Sequence, residues 1–395
     1  MEKYRDAADL VRQTRPDQPV LAFRPHAVSR AARWFLHHFP GHCLYAVKAN
    51  DSPHVLVALH EAGIRDYDVA SVAEIERLAG LPGARPHVMH PVKSRTAIRR
   101  AFSEYGVRSF ALDSEDELKK ILEETGNCRE LTLWVRVAVA PKNSKIPLDR
   151  KYGIAGAKAA RLLVKARQAC KELGITFHVG SQTATPDAYV SALDEVGKLI
   201  VKAGVVLDRL DVGGGFPSVY ADEGPAPLSD FMTAISEAVE RLPIGERCRL
   251  MCEPGRALVA EAESLIVRVD ARRGNELFVN DGSYGTLFDA AHLGFDFPVR
   301  LVGRPVDASE ALVDFSFWGP TCDTIDFMKG PFQLPGSIKD GDYIEVGNTG
   351  ASGRALASRF NGYGAFEEAI LDDEPMLTMY AAQADAERED ERVPA

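Results

Sequence analysis

Short β-rich runs alternate with amphipathic segments from about residue 42 to residue 260. The strand candidates are CLYAV (43–47), RDYDVA (65–70), HVMH (87–90), SFAL (109–112), LTLWVRVAV (131–139), ITFHVG (175–180), RLDVGG (209–214) and RLMCEP (249–254). The helical candidates between them include SVAEIERLAGL (71–81), SEDELKKILEETG (114–126) and GAKAARLLVKARQACKELG (156–174), each opening on a Ser or Gly cap. This alternation predicts an α/β fold, a (β/α)₈ TIM-like barrel.

The pattern changes after about residue 261, where β-rich runs follow one another with Pro and Gly between them. These runs are SLIVRVDARR, ELFVNDG, VRLVG, LVDFSFWG, DYIEVGN and EEAILDD. They predict a C-terminal antiparallel β-sandwich or β-barrel domain, with a first strand contributed by PVLAFRP (19–25). We therefore expect a barrel domain over 27–260, a β domain from 1–26 and 261–382, and a mobile charged tail over 383–395.

Composition limits the function classes. At 395 residues the chain exceeds the size of a single core, and its net charge of −10 argues against nucleic acid or an anionic membrane as a partner. The same charge is compatible with a small cationic substrate. The N-terminus does not resemble a signal peptide, and no apolar run is long enough to span a membrane. The six cysteines show neither CxxC nor zinc spacing, so we predict reduced thiols, a cytoplasmic location and no metal site.

Polar residues follow the predicted barrel strands, at the ends where such barrels carry their chemistry. The most informative of them is Lys48 in YAVKAN (45–50), because it follows an apolar strand. A buried lysine is costly, and burial favours the neutral amine, which is a nucleophile for aldehydes. The alternative is a strand-end lysine that extends to solvent. The other candidates are Asp68, Arg136, His178, Gly213, Gly214, Gly215 and Glu253.

Six motifs occur in one order: YAVKAN, YDVASVAEIE (67–76), HVGSQ (178–182), DVGGGFP (211–217), CEPGRALVA (252–260) and WGPTCDTID (318–326). Together they resemble the ornithine/lysine/diaminopimelate decarboxylase family, the alanine-racemase-like fold-type-III enzymes that use pyridoxal 5'-phosphate. GPTCD is more similar to the ornithine/lysine branch than to the diaminopimelate branch.

The resemblance implies a role for each barrel residue. Lys48 would hold the cofactor covalently, His178 would stack on its ring, and Glu253 would face the pyridine nitrogen and keep it protonated. Ser181, the three glycines and Arg256 would bind its phosphate. Asp68, Glu74 and Arg136 match residues that surround the lysine and the ring. From the residues alone, Glu253 could instead form a salt bridge with Arg256, and His178 could be a core histidine.

The C-terminal domain would complete the site. By resemblance, Cys322 donates a proton to the substrate α-carbon after CO₂ leaves, and Asp323 binds the distal ammonium of the substrate. The family also implies a homodimer with active sites at the subunit interface, where Lys151 and Asp326 match residues that pair between subunits.

Two segments depart from the family pattern. Ser352, in NTGASGRALASRFNG (348–362), stands where the family has a tyrosine whose hydroxyl reaches the cofactor phosphate. The Tyr-Asp-His substrate segment of eukaryotic-type relatives is replaced by YGTLFDAAHLGFDFP (284–298). Within it Asp289, His292 or Asp296 could contact the substrate, and we favour Asp289.

The sequence therefore predicts a pyridoxal-phosphate-dependent decarboxylase of a basic L-amino acid, ornithine first and lysine second, in polyamine biosynthesis. The alternatives are a catalytically inactive homologue with a regulatory role, a decarboxylase of another diamino acid, and a racemase of the same fold.

Overall fold

The computed structural model of the protein describes residues 1–140, 143–147, 150–221 and 224–380. These residues form two compact units. Among the described residues, the barrel unit lies within 32–217 and 225–255, and the β unit within 1–31, 218–221, 224 and 256–380. The domain boundaries drawn from the sequence stay a prediction, and the tail over 383–395 lies outside the described residues. Within the described ranges, no helix combines the length and apolar content needed to cross a membrane.

The strands are β1 (Glu2–Tyr4), β2 (Val20–Phe23), β3 (His42–Ala46), β4 (Asp66–Val69), β5 (Arg85–Val88), β6 (Ser109–Leu112), β7 (Thr132–Arg136), β8 (Ser144–Ile146), β9 (Glu172–Thr176), β10 (Ser181–Thr183), β11 (Arg209–Asp211), β12 (Arg249–Cys252), β13 (Glu263–Arg273), β14 (Glu276–Val279), β15 (Val299–Val302), β16 (Leu312–Trp318), β17 (Phe327–Pro335), β18 (Tyr343–Val346) and β19 (Glu367–Leu371). The α-helices are α1 (Ala7–Thr14), α2 (Pro25–His38), α3 (Pro53–Glu61), α4 (Val72–Leu78), α5 (Arg95–Ser103), α6 (Glu115–Glu124), α7 (Gly156–Ala169), α8 (Asp187–Ala203), α9 (Leu228–Glu240), α10 (Arg256–Val259), α11 (Phe288–His292) and α12 (Gly353–Leu356). Single 3₁₀ turns lie at Val47–Ala49, Ala260–Ala262 and Phe360–Gly362.

The barrel unit is a closed parallel barrel in the order β3-β4-β5-β6-β7-β9-β11-β12. All of the strands predicted for the barrel are present, and the prediction of a TIM-like barrel is confirmed. Ser71 and Ser114 cap α4 and α6 by accepting hydrogen bonds from backbone N–H groups three residues on. Apolar side chains fill the barrel core, among them Leu44, Met89, Ala111, Trp134 and Met251.

The helix predicted over 156–174 ends early. It ends at Ala169, and the chain enters β9 at Glu172, where Gly174 pairs with Trp134 of β7 and Arg209 of β11. A Cβ atom on Gly174 would lie 2.2 Å from the Trp134 ring, so only glycine fits at this position. Strand pairing in the barrel therefore overrides the helical preference of the KEL sequence.

The β unit contains a nine-stranded sheet made of β1, β2 and β13–β19. Most pairs are antiparallel as predicted, but β19 is parallel to both β1 and β2, and β14 is parallel to β16. The strand predicted within 19–25 is β2, which pairs with β13. The sequence analysis missed β17, because Gly330 and Pro331 interrupt it. The strand pairs with β16 on both sides of this interruption, where the register shifts.

A polar network closes the amino-terminal end of the barrel. Asp66 accepts hydrogen bonds from Arg85 at 2.8 and 2.7 Å, and its carboxylate lies 2.9 Å from Nε2 of His87. The other ring nitrogen of His87 lies 2.8 Å from Ser109 Oγ, which accepts a hydrogen bond from the Trp134 indole. Burial opposes ionisation of Asp66, but the hydrogen bonds from His87 and Arg85 outweigh it and hold the pKa of Asp66 well below its usual range.

We expect Asp66→Asn to lower the stability of the protein at pH 7 by about 1.5–3 kcal/mol, the contribution of hydrogen bonds to a charged group. A carboxylate with a lowered pKa stabilises the fold above its unfolded-state pKa, and this contribution is lost as the pH falls below about 4. The difference in thermal unfolding midpoint between wild type and variant should therefore shrink on acidification. Asp314→Asn, at an exposed position, is the control. A difference that is the same at pH 7 and in acid contradicts the assignment.

Candidate active site

A cavity of about 340 Å³ opens at the carboxyl ends of the barrel strands. Lys48 lies in the 3₁₀ turn after β3, Asp68 lies in β4, and Arg136 is the last residue of β7. His178 and Glu253 follow β9 and β12. The structure brings these predicted site residues together around one cavity, which is also lined by Met89, His90, Pro91, Lys151 and Tyr152.

Lys48 is not buried, contrary to the sequence-based expectation. Strand β3 ends at Ala46, and the 3₁₀ turn Val47–Ala49 buries the backbone neighbours of the lysine while its side chain extends into the cavity. The apolar residues on either side of Lys48 are therefore explained by the packing of the turn. The amine itself is accessible to a ligand.

Glu253 and Asp211 form a buried carboxyl pair below the cavity. Asp211 accepts hydrogen bonds from Thr176 Oγ1 and Gly213 N, each at 2.9 Å. Burial raises the pKa of Asp211 to about 6, and burial followed by the charge of Asp211 raises the pKa of Glu253 well above its usual value. The two groups therefore share a proton. Among the described residues Oε1 of Glu253 has no hydrogen-bond partner, although it is buried.

Two further groups at the cavity have shifted pKa values. Desolvation, followed by the Glu253 carboxylate, raises the pKa of Asp68 well above its usual value. Desolvation, followed by the charges of Lys48 and Arg136, lowers the pKa of His178 far below 6.5, so the imidazole is neutral. Gly180 N donates to Nδ1 of His178 at 3.1 Å, which fixes the ring and places its proton on Nε2.

The loop from Gly213 to Gly215 has no room for side chains. A Cβ atom would lie 2.0 Å from a carbonyl oxygen at Gly213, 2.5 Å at Gly214 and 2.3 Å at Gly215. The loop carbonyls accept hydrogen bonds from Glu253 N, the Tyr189 hydroxyl and Thr183 N. Because these carbonyl oxygens already accept hydrogen bonds within the barrel unit, the loop is suited to face an anion. Ser181 lies close by in β10, which pairs with β8.

The barrel residues fit pyridoxal phosphate. A buried carboxyl oxygen without a partner is suited to a pyridine N–H, and a neutral imidazole is suited to stacking on a planar ring. Lys48 supplies an amine for the aldehyde, and the glycine loop can accommodate a phosphate. When bound, this cofactor supplies an electron sink for the bonds at a substrate α-carbon.

In the β unit, Arg256 is held in a buried cluster. Its Nη1 donates to the Tyr220 hydroxyl and its Nη2 to Asp289, each at 2.8 Å, and its guanidinium lies 4.4 Å from the centre of the Phe295 ring. Arg256 thus pairs with Asp289, while Glu253 pairs with Asp211. Asp289 is only 2% exposed. Its burial and ion pair oppose the predicted contact with a substrate ammonium.

Cys322 and Asp323 lie on a turn after β16. The Cys322 thiol is exposed, so Cys322 is not a core cysteine. It donates a hydrogen bond to Asn361 Oδ1 at 3.3 Å. Asp323 accepts a hydrogen bond from the Tyr284 hydroxyl at 2.6 Å, and this bond lowers the pKa of Asp323 and raises that of Tyr284 to about 12. The sequence analysis missed both partners, although each lies in a segment that it had singled out.

Asp326 anchors the same turn from inside the β unit. Its carboxylate accepts hydrogen bonds from the backbone and hydroxyl groups of Ser283 and Thr321, and its side chain is 1% exposed. The pairing of Asp326 with Lys151 of a second subunit stays a prediction. It would have to form in addition to these hydrogen bonds within the β unit. Ser352 precedes α12 with φ of 69°, a backbone region that bulky side chains rarely adopt.

Comparison with known proteins identifies the class. A family model described as "Pyridoxal-dependent decarboxylase, pyridoxal binding domain" matches residues 26–260. The lysine/ornithine decarboxylase of Selenomonas ruminantium is 32% identical over 341 residues, which cover 84% of each chain. Antizyme inhibitor 2 of Xenopus laevis is 31% identical, over 81% of this chain and 73% of that protein. The crystal structure of lysine/ornithine decarboxylase from Vibrio vulnificus complexed with cadaverine matches with a TM-score of 0.79 and 27% identity, over 94% of this chain and all of that chain.

The chain belongs to the fold-type-III pyridoxal-phosphate-dependent decarboxylases. The predictions of this family, of an enzyme of this class and of pyridoxal phosphate as its cofactor are confirmed. Within the family its similarity extends to lysine/ornithine decarboxylases.

Proposed function

We propose that the protein decarboxylates a basic L-amino acid, ornithine first and lysine second, to give putrescine or cadaverine for polyamine biosynthesis. The observation that carries this proposal is the turn that presents Cys322 and Asp323 side by side. Asp323 is ionised and held by Tyr284, which suits it to bind the distal ammonium of a diamino acid. The exposed thiol of Cys322 can deliver a proton.

The residues take separate roles in the proposed reaction. Lys48 would bind the cofactor, Glu253 would hold a proton for its ring nitrogen, and His178 would stack on its ring. Ser181, the glycine loop and Arg256 would bind its phosphate, while Asp68 and Arg136 would balance charge around the lysine. Cys322 then gives a proton to the substrate α-carbon, which becomes the CH₂ group of the diamine.

We also propose a homodimer in the cytoplasm. Large apolar side chains are exposed beside the Cys322 turn, with Ile325 55%, Phe360 41% and Tyr363 46% exposed. Clustered apolar side chains of this kind are typical of protein interfaces. The cysteines are all unpaired, which agrees with a reducing compartment.

The alternative is an inactive homologue with a regulatory role, and two observations favour it. The chain is similar to antizyme inhibitor 2, and by the resemblance stated above Ser352 would stand where the family has a tyrosine that binds the phosphate. The presence of Lys48, Glu253, Arg256, Cys322 and Asp323 supports the enzyme instead.

The test is CO₂ release by the cofactor-loaded protein from a panel of basic L- and D-amino acids. We expect release from L-ornithine and L-lysine, with the matching diamine as product, and none from the D-amino acids or from neutral L-amino acids. Borohydride reduction and peptide mapping should place the cofactor on Lys48. Cofactor on Lys48 without CO₂ release from any basic amino acid contradicts the proposed substrate class, and no cofactor binding supports the regulatory homologue.

A further inference from the structure

The carboxyl pair of Asp211 and Glu253 lies where two neighbouring strands of the barrel end. Asp211 is the last residue of β11, which pairs with β12, and Glu253 follows β12 directly. The two side chains are hydrogen-bonded to each other and are 0% and 4% exposed. Glu253 N donates to the Gly213 carbonyl at 2.8 Å, which fixes the backbone of Glu253 against the loop that follows Asp211. Two carboxyl groups this close and this deeply buried keep one proton between them.

The proton of the pair belongs to Glu253. Both carboxyl oxygens of Asp211 accept hydrogen bonds, Oδ2 from Thr176 Oγ1 and Oδ1 from Gly213 N. Oε1 of Glu253, by contrast, has no partner among the described residues. Hydrogen bonds donated to a carboxyl group stabilise its ionised form, so Asp211 is the carboxylate and Glu253 is the acid that donates to it.

Ionisable groups of the surrounding strands and helices face the pair. They are Lys48, Asp68, Arg136, Tyr189 and Cys252. Burial raises the pKa of Asp211 to about 6, and Asp68 raises it further, whereas Arg136 and Lys48 lower the pKa of Glu253. Burial, followed by the charge of Asp211, nevertheless leaves the pKa of Glu253 well above its usual value. The tyrosine hydroxyl and the cysteine thiol are buried and stay neutral, so the order within the pair is kept.

We propose that Asp211 is a positioning residue of the cofactor site, which carries the negative charge of the pair, orients the Glu253 carboxyl group and thereby keeps the ring nitrogen of pyridoxal phosphate protonated. This inference rests on the assignment of Glu253 to the ring nitrogen under the proposed function. The hydrogen bond to Asp211 occupies one side of the Glu253 carboxyl group and leaves Oε1 for the ring.

The pair gives the ring nitrogen a reserve proton. With Asp211 in place, the first proton lost as the pH rises comes from Glu253, and the ring nitrogen then faces two carboxylates, which stabilise its positive charge. With asparagine in place of Asp211, Glu253 is itself the carboxylate, and the first proton lost is that of the ring nitrogen. Removal of Asp211 should therefore lower the pH at which the ring nitrogen is deprotonated.

The experiment is ¹⁵N NMR of the protein loaded with pyridoxal 5'-phosphate that carries ¹⁵N at the ring nitrogen, without substrate. The chemical shift of a pyridine nitrogen changes strongly on protonation, so a pH series reports the protonation state directly. We expect Asp211→Asn to lose the ring proton at a pH about 1–2 units lower than wild type does, the equivalent of one hydrogen bond between charged groups.

A second variant and a matched control complete the design. Thr176→Val removes the hydroxyl that donates to Asp211, so it should shift the pH of ring deprotonation in the same direction but less. It decides the question if Asp211→Asn does not fold or does not bind the cofactor. Asp66→Asn removes a buried carboxylate at the amino-terminal end of the same barrel and should titrate as wild type does.

The inference is overturned if Asp211→Asn and Thr176→Val both titrate as wild type does, or if Asp66→Asn shifts as far as Asp211→Asn. A ring nitrogen without a proton in the wild type contradicts the role of Glu253 as well. The expected shifts without CO₂ release from any basic amino acid contradict the proposed substrate class alone, because the NMR measurement does not depend on turnover.

Discussion

Lys48→Ala is expected to abolish multiple turnover while the protein keeps its fold. The amine extends from a 3₁₀ turn into the cavity lined by Asp68, His178 and Glu253, so its loss removes an amine that can hold an aldehyde covalently beside the Glu253 carboxyl group. Removal of a covalent catalytic group lowers kcat by ~10⁴-fold or more. The side chain is exposed, so its truncation should leave the thermal unfolding midpoint of the apo-protein unchanged.

The measurement is steady-state diamine formation, together with borohydride reduction of the cofactor-loaded protein. The variant should give no covalent label, whereas wild type should be labelled at Lys48 alone. Lys158→Ala, an exposed lysine of α7, is the control for loss of a positive charge in the barrel unit. Sustained turnover by Lys48→Ala would remove this lysine from the mechanism.

The architecture could be predicted from the sequence because β-rich runs alternate with amphipathic segments, and because capping and turn residues mark where these segments begin and end. Each barrel strand overlaps one of the short β-rich runs, and Ser71 and Ser114 mark helix starts through their own hydrogen bonds to the next turn. The errors in the predicted helices and strands occur where tertiary packing determines the local structure. Gly174 becomes part of a strand because it fits under Trp134, and β17 tolerates Pro331 because this residue lies in a register shift, between the segments that pair with β16.

For the candidate active site, too, the sequence predicts position better than environment. Residues that follow a barrel strand could be placed at one end of the barrel, since parallel strands bring their carboxyl ends together. The environment of each residue could not be predicted. Lys48 is exposed although its neighbours in sequence are apolar. Asp289 accepts a hydrogen bond from Arg256, which lies 33 positions away in the sequence. Asp211 lay inside a motif already singled out, yet its carboxyl pair with Glu253 depends on two strands that are adjacent only in the folded barrel.

Cys322→Ala and Asp323→Ala are expected to affect different kinetic constants, although the two residues are adjacent. A thiol that protonates the α-carbon acts only after CO₂ has left, so its loss should lower kcat by ~10²–10⁴-fold with little change in KM. Misplaced protonation should also produce an amino aldehyde in place of part of the diamine. Cys248→Ala, a half-buried thiol of the barrel unit, is the control.

In the proposed reaction Asp323 would bind the substrate in the ground and transition states alike, so Asp323→Ala should mainly raise KM. The expected increase is ~10- to 150-fold, from a lost charge-assisted contact of about 1.5–3 kcal/mol. Discrimination against neutral amino acids should fall with it, and kcat should drop modestly because a loosely held substrate misplaces its carboxylate. The Tyr284 hydroxyl fixes the carboxylate at 2.6 Å, so Tyr284→Phe should shift KM in the same direction but less. An unchanged KM in Asp323→Ala would move the ammonium site elsewhere. Wild-type kcat with clean diamine from Cys322→Ala would exclude the thiol as the proton donor.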